Sequence, residues 1–118
     1  MKTDEHREQA ALFEWARYAG GRYPELALLF AVPNGGRRDA VTGARLKSEG
    51  VKAGVPDIIL PVARGGYHGL FIELKAGKNT ATAEQRGWLA ALAAQGYRAA
   101  VCRGAAEAMA LLEAYLDD

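Results

Sequence analysis

Cysteine is almost missing from this sequence. Cys102 stands alone, so no intramolecular disulfide can form and a cysteine-rich metal site is excluded. Histidine is nearly as scarce: His6 lies near the start and His68 in a turn, neither has a partner at metal-ligand spacing, and both read as surface residues. No Ser-His-Asp arrangement and no Walker-type phosphate loop occurs. No apolar run approaches the roughly 20 residues of a membrane span. The opening MKTDEHREQ is polar and charged, so no secretory signal or membrane association is expected and the cytoplasm is the default compartment. An excess of one charge is lacking as well, because 15 Lys and Arg meet 14 Asp and Glu. Only the local distribution is informative. Between Gly35 and Val55, Arg37, Arg38, Arg45, Lys47 and Lys52 outnumber Asp39 and Glu49, while the chain ends acidic at Glu113, Asp117 and Asp118. A polyanion would therefore meet one face or one loop.

What is present suits one compact domain over 1–118: the chain has 118 residues, 50% of them hydrophobic, without internal repeat or low-complexity linker. The core is small, and the size is compatible with a homodimer. Residues 4–19 predict a helix, with Leu12, Phe13, Trp15, Ala16 and Ala19 at helical spacing and Gly20-Gly21 as its stop. The run LALLFAV, 26–32, ends at Pro33-Asn34-Gly35-Gly36 and predicts a buried strand. A short helix is expected over 39–49. Strands follow at 56–62 and 70–76, joined by the turn RGGYHG and hence antiparallel. Thr82 caps a helix reaching about Gln95, with Trp88, Leu89 and Leu92 on its apolar side. A fourth strand, 97–102, contains Cys102 as a buried residue, and a last helix covers 104–116. Trp15 and Trp88 read as core or dimer packing. The order α-β-(α)-β-β-α-β-α describes an α/β domain with a mixed four-stranded sheet flanked by helices, its third and fourth strands parallel.

The stretch GVPDIILPVARGGYHGLFIELKAG puts Asp57, Glu73 and Lys75 into segments that should build the core. On a strand, alternate residues share a face, so Phe71, Glu73 and Lys75 point one way and Leu70, Ile72 and Leu74 the other. Glu73 and Lys75 lie roughly 6.5 Å apart along the strand, and the neighbouring strand brings Asp57 across. Converging carboxylates repel, and burial raises the cost. A divalent cation resolves the conflict, and an all-oxygen ligand set suits Mg²⁺ or Mn²⁺. A lysine beside it can position or help deprotonate an attacking water and offset charge in a phosphoryl transition state. The same triplet also fits a solvated strand edge with a Glu–Lys neighbour pair.

Taken together, Glu5 to Gln9, Pro33-Asn34-Gly35-Gly36-Arg37, Gly54-Val55-Pro56-Asp57, Ile72-Glu73-Leu74-Lys75, Gln85 and Gly96-Tyr97 occur in an order that resembles the VRR-NUC (virus-type replication-repair nuclease) domain of the PD-(D/E)xK nuclease superfamily. The resemblance implies a restriction-endonuclease-like core and metal-dependent phosphodiester hydrolysis. By position, Asp57 and Glu73 would ligate the metal, the carbonyl of Leu74 would add an oxygen, and Lys75 would be the catalytic lysine. A first-helix glutamate usually completes such a site. Glu5 is preferred over Glu8 because the Glu-x-x-x-Gln spacing to Gln9 fits it; an acidic residue at a helix start is also unremarkable on its own. Gln85 would lie beside the site, and Thr82-Ala-Glu-Gln85 is at the same time a capping-box spacing. Asn34, Arg37, Arg38, Arg45 and Lys47 become phosphate contacts, and Lys78, just past the strand, fits either a phosphate contact or a solvated residue.

The function implied is an endonuclease on DNA, structure-selective because the chain carries no added DNA-reading module. Branched DNA such as a four-way junction suits a two-fold homodimer, in a bacterial or phage-infected cell. A sequence-specific restriction-type enzyme on duplex DNA and a non-cutting nucleic-acid-binding module are the alternatives. Binding alone has no need of Asp57, Glu73 and Lys75, which argues against the latter.

Overall fold

The computed structural model describes residues 2–33 and 40–117. Helix α1, Lys2–Ala19, buries Leu12 and Ala16 and packs Phe13, Trp15 and Ala19 against the same core. It ends at the glycine pair, where the N–H groups of Arg22 and Tyr23 both return to the Ala19 carbonyl.

The next segment departs from expectation. Instead of one strand over 26–32, Pro24–Leu28 forms a 3-10 turn, and strand β1 is only Phe30–Ala31. Pro24 starts the turn with a preset φ and no N–H to satisfy. Leu26 and Leu29 are the buried residues, three apart, which matches the three-residue period of such a turn. The apolar run thus carries a period of three where a strand needs two.

Helix α2, Ala40–Ser48, and the strands β2, Ile58–Leu60, and β3, Leu70–Lys75, follow. Strand β2 is shorter than the expected 56–62 because Pro56 and Pro61 bracket it, and neither has an N–H for the ladder. The hairpin between β2 and β3 turns at Gly65 and Gly66, both at positive φ (56° and 86°), as a two-residue reverse turn of this kind requires. Two registers meet in it. Leu60 pairs with Leu70 in the sheet, whereas Arg64 pairs with Tyr67 at the turn. Residues 61–63 therefore stand against only His68 and Gly69, an irregularity of the bulge type.

Helix α3, Ala83–Ala94, leads to β4, Arg98–Arg103, and α4, Ala105–Leu116, closes the described chain. The sheet order is β1-β2-β3-β4, antiparallel at the first two pairings and parallel at the last. Leu70, Ile72 and Leu74 of β3 face the core shared with Leu12 of α1 and Ala108 and Leu112 of α4; Cys102 of β4 is buried in the same cluster. Helix α3 packs on β4 without burying any side chain fully. Burial pushes the Cys102 thiol up to about 11, so it stays protonated. Among the described residues, no helix is long and apolar enough to cross a membrane.

Candidate active site

The hairpin register decides where the charged residues meet. Ile58 lies opposite Ile72, and one further step along both strands sets Asp57 against Glu73. Asp57 is held there by the main chain, because the N–H of Leu74 donates to its Oδ2 at 2.9 Å. On the neighbouring edge the Val32 N–H donates to the Asp57 carbonyl at 2.7 Å. The loop before Asp57 is fixed from the other side. Gly54 has a φ of +87°, and a Cβ there would come within 2.9 Å of the Glu84 Cγ. The indole N–H of Trp88 donates to the Ala53 carbonyl at 3.1 Å. Any larger residue at 54 would push this loop off α3.

Glu73 is 2% exposed and Lys75 7%. The Lys75 Nζ lies 3.6 Å from Glu73 Oε2, while Oε1 is buried with no hydrogen-bond partner among the described residues. A buried carboxylate oxygen without a donor is costly. Burial first, and then the negative charge of Asp57, push the Glu73 carboxyl up to about 8; the Lys75 ammonium pulls the other way without reversing the shift. Asp57 is raised as well, again by burial first, with the Leu74 N–H lowering it and the charge of Glu5 adding to the rise. In the absence of a cation, burial and mutual repulsion keep the two carboxyls from both being readily ionised.

These groups open onto a cleft of about 940 Å³. Its walls bring together Glu5 and Gln9 from α1, Asp57, Glu73, Leu74 and Lys75 from the hairpin, Lys78 from the following loop and Gln85 from α3. Glu5 and Gln9 share a helix face at four-residue spacing, and Asn79 Nδ2 lies 3.4 Å from Glu5 Oε2. Glu8 goes elsewhere. Its Oε1 accepts the Ala105 N–H at 2.6 Å, at the start of α4, where the N-cap Gly104 has no side chain to do so. Gln85 forms a full capping box: its N–H donates to Thr82 Oγ1 at 3.1 Å and its Oε1 accepts from the Thr82 N–H at 2.9 Å. The cap also sets Gln85 on the cleft wall.

Arg45 and Lys47 are exposed on α2 and do not line this cleft. Asn34, Arg37 and Arg38 lie outside the described residues, although Val32 and Pro33, which lead to them, line the cleft. Three contributors escaped the sequence reading. His6 is exposed, as expected, but its place is the cleft wall, and Asn79 and Thr80 join it there. Arg103 supports their loop by donating to the carbonyls of Gly77 at 2.9 Å and Asn79 at 2.5 Å. The polar run Lys78-Asn79-Thr80 directly after Lys75 was the available signal for the loop residues.

Among the described residues, no three His, Cys, Asp or Glu side chains gather closely enough to enclose a metal ion. The fit to a cation is therefore that of an open site: two opposed carboxylates, one with an unpartnered buried oxygen, with Leu74 also lining the cleft. Such hard oxygen donors match a divalent ion that keeps part of its water shell.

The VRR-NUC domain model matches residues 5–106 of this chain. A solved structure titled "VRR_NUC domain protein" is similar over 97% of this chain and 88% of its own, with 32% identity and a TM-score of 0.82. None of the curated proteins matches.

Proposed function

The chain belongs to the VRR-NUC family, nucleases of the PD-(D/E)xK type, and from that premise we propose that it is a metal-dependent DNA endonuclease, selective for branched DNA such as four-way junctions and active as a homodimer. The observation that carries the catalytic reading is the meeting of Asp57, Glu73 and Lys75 at one end of β3, with Glu73 Oε1 buried and unpartnered. Asp57, Glu73 and the Leu74 carbonyl would hold Mg²⁺ or Mn²⁺, with Glu5 reaching the same cleft from α1. When bound, the ion supplies positive charge to the phosphate oxygens and lowers the pKa of a water.

The protein's own groups have separate tasks. The buried Lys75 ammonium orients the attacking water and offsets negative charge as the phosphorus gains its fifth oxygen. The water oxygen bonds to phosphorus as one ester P–O bond breaks; the water gives up a proton, and the departing oxygen takes one up and leaves as a hydroxyl. The Leu74 N–H holds Asp57 in place throughout. Gln85, locked by its cap, positions the strand or the water at the cleft wall. Arg37, Arg38, Arg45, Lys47 and Lys78, with Asn34, serve as phosphate contacts, which orient DNA without reading its sequence. One protomer offers few such contacts; two related by a two-fold axis double them and set two sites on opposed strands, the symmetry of a four-way junction.

A cleavage panel tests this reading. Purified protein is offered labelled single-stranded, duplex, flap and four-way-junction DNA in Mg²⁺, Mn²⁺ or EDTA, with sedimentation run in parallel. Cutting of the junction by a dimer, abolished by EDTA, is expected. Failure to cut any DNA in either metal overturns the nuclease reading; equal cutting of linear duplex, or a monomer, overturns only the junction and dimer parts.

A further inference from the structure

A second groove, of about 630 Å³, is lined by residues of α2, α3 and the 51–53 segment; of the groups given a role above it contains only Lys47, a phosphate contact. It adjoins the active cleft, because Ala53 lines both. One part of its wall is apolar: Leu46, Val51 and the indole of Trp88. The other part is cationic, with Lys47 and Lys52 exposed and only Glu84 opposing them among the described lining residues. The Trp88 ring is not free to turn. Its N–H is committed to the Ala53 carbonyl, and Gly54 is packed so closely that a Cβ there would stand 3.1 Å from Trp88 Cδ1. The groove therefore offers an anchored aromatic side chain together with two lysines, next to the candidate active cleft.

We propose that this groove seats an unpaired nucleotide neighbouring the scissile phosphate, its base against Trp88, Leu46 and Val51 and its phosphates at Lys47 and Lys52. The inference rests on the nuclease reading and deepens it by naming the state of the adjacent strand. A paired base hides both its faces in the duplex stack and would leave the apolar wall bare. An unpaired base presents a π-face to the indole, and every base has one, so the contact is tolerant of sequence. The lysines select a polyanion over an apolar or cationic partner. The volume is that of a site for one small ligand-sized group, too confined for a duplex.

The test is binding without cleavage: fluorescence anisotropy in EDTA, comparing a blunt duplex with the same duplex carrying a short single-stranded overhang on either strand end. The wild type should bind one overhang substrate about tenfold more tightly than the blunt one. Trp88→Ala should abolish that preference and leave blunt-duplex affinity in place, and Trp88→Phe should retain most of it. Lys52→Ala should lower the slope of log affinity against log salt for the overhang substrate by about 0.7 and leave the blunt-duplex slope in place, whereas Lys47→Ala, at a contact shared with duplex, should lower both. Trp88 also braces the loop at Ala53; if Trp88→Ala does not fold, the exposed lysine variants decide. Equal wild-type affinity for blunt and overhang DNA overturns the proposal, as does an overhang preference that survives the substitutions. A wild type that cuts DNA yet shows no preference removes the groove and keeps the nuclease. One that shows the preference yet cuts nothing in Mg²⁺ or Mn²⁺ removes the nuclease and keeps the groove.

Discussion

At its C-terminal end, strand β3 buries both faces, and they are opposite in chemistry. Leu74 and Glu73 are both 2% exposed. The first lies among leucines from α1 and α4; the second faces Asp57 and Lys75 with one oxygen unpartnered. Burial of the leucine face stabilises the fold at roughly 25 cal/mol per Å² removed from water. Burial of the Glu73 face costs stability and raises a carboxyl pKa. The helices follow the same division: α4 buries Ala108, Leu112, Tyr115 and Leu116, whereas α3 buries nothing fully. Depth below the surface therefore does not tell a core leucine from a buried carboxylate. What tells them apart is whether the buried atoms find partners.

That contrast can be broken experimentally in graded steps. The largest effect is expected on the charged face. Asp57→Asn, Glu73→Gln and Lys75→Ala should each lower the cleavage rate by roughly 10²–10³ or more, while thermal melting shows a folded protein, with Glu73→Gln no less stable than wild type in the absence of metal. A Glu73→Gln variant cutting at the wild-type rate would remove that residue from the site. On the leucine face the pattern should invert. Ile72→Ala should cost about 2–5 kcal/mol in denaturant unfolding, with the remaining folded fraction keeping near-normal activity.

A smaller effect should separate the faces by pH. Glu73 is raised from its ordinary value of 4.5 to about 8. A group whose folded pKa is raised favours the folded state in its protonated form. Its contribution is complete below about 4.5 and is lost as pH rises through about 8. Metal-free protein should therefore melt at progressively lower temperature from pH 5 to pH 8.5. Glu73→Gln should flatten that slope, and added Mg²⁺ should flatten it in the wild type by favouring the ionised pair. A wild-type slope unchanged by both would contradict the assigned cause.

The smallest difference lies within α1. Glu5→Gln should weaken the metal dependence of cleavage with little change in melting. Glu8→Ala should do the reverse, costing about 1 kcal/mol through the lost cap at α4 with a near-normal rate. The opposite ranking in side-by-side assays would move the functional carboxylate to Glu8.

Much of this was legible in the chain itself, for reasons that are local. The alternation of LFIELK separates the two faces of β3 without any tertiary information, and the Thr82–Gln85 spacing marks the start of α3 because both partners of the cap lie in one turn. The 24–29 segment was misread because an apolar run does not declare its period until Pro24 is counted as a turn starter. Strand β2 was overdrawn because its flanking prolines were treated as members of it rather than as limits. The different placement of Glu5 and Glu8 was only partly visible. The spacing to Gln9 favours Glu5, but the need of α4 for a borrowed cap at Gly104 arises from a contact across 97 positions. Arg103 escaped for the same reason, since its partners at Gly77 and Asn79 are brought near only by the parallel pairing of β3 and β4.

The uneven hairpin, with residues 61–63 set against His68 and Gly69, has an evolutionary consequence. The opposition of Asp57 and Glu73 depends on counting residues from that turn. Substitutions at its exposed positions, such as Ala63, Gly66 and Tyr67, lie at the other end of both strands from the cleft, whereas Val62 and Gly69 are buried. Gain or loss of a single residue that carried into the ladder would move Asp57 off Glu73, and a one-residue slip exchanges the faces of a strand. This hairpin can drift in composition, but lineages that keep the activity should hold its length constant.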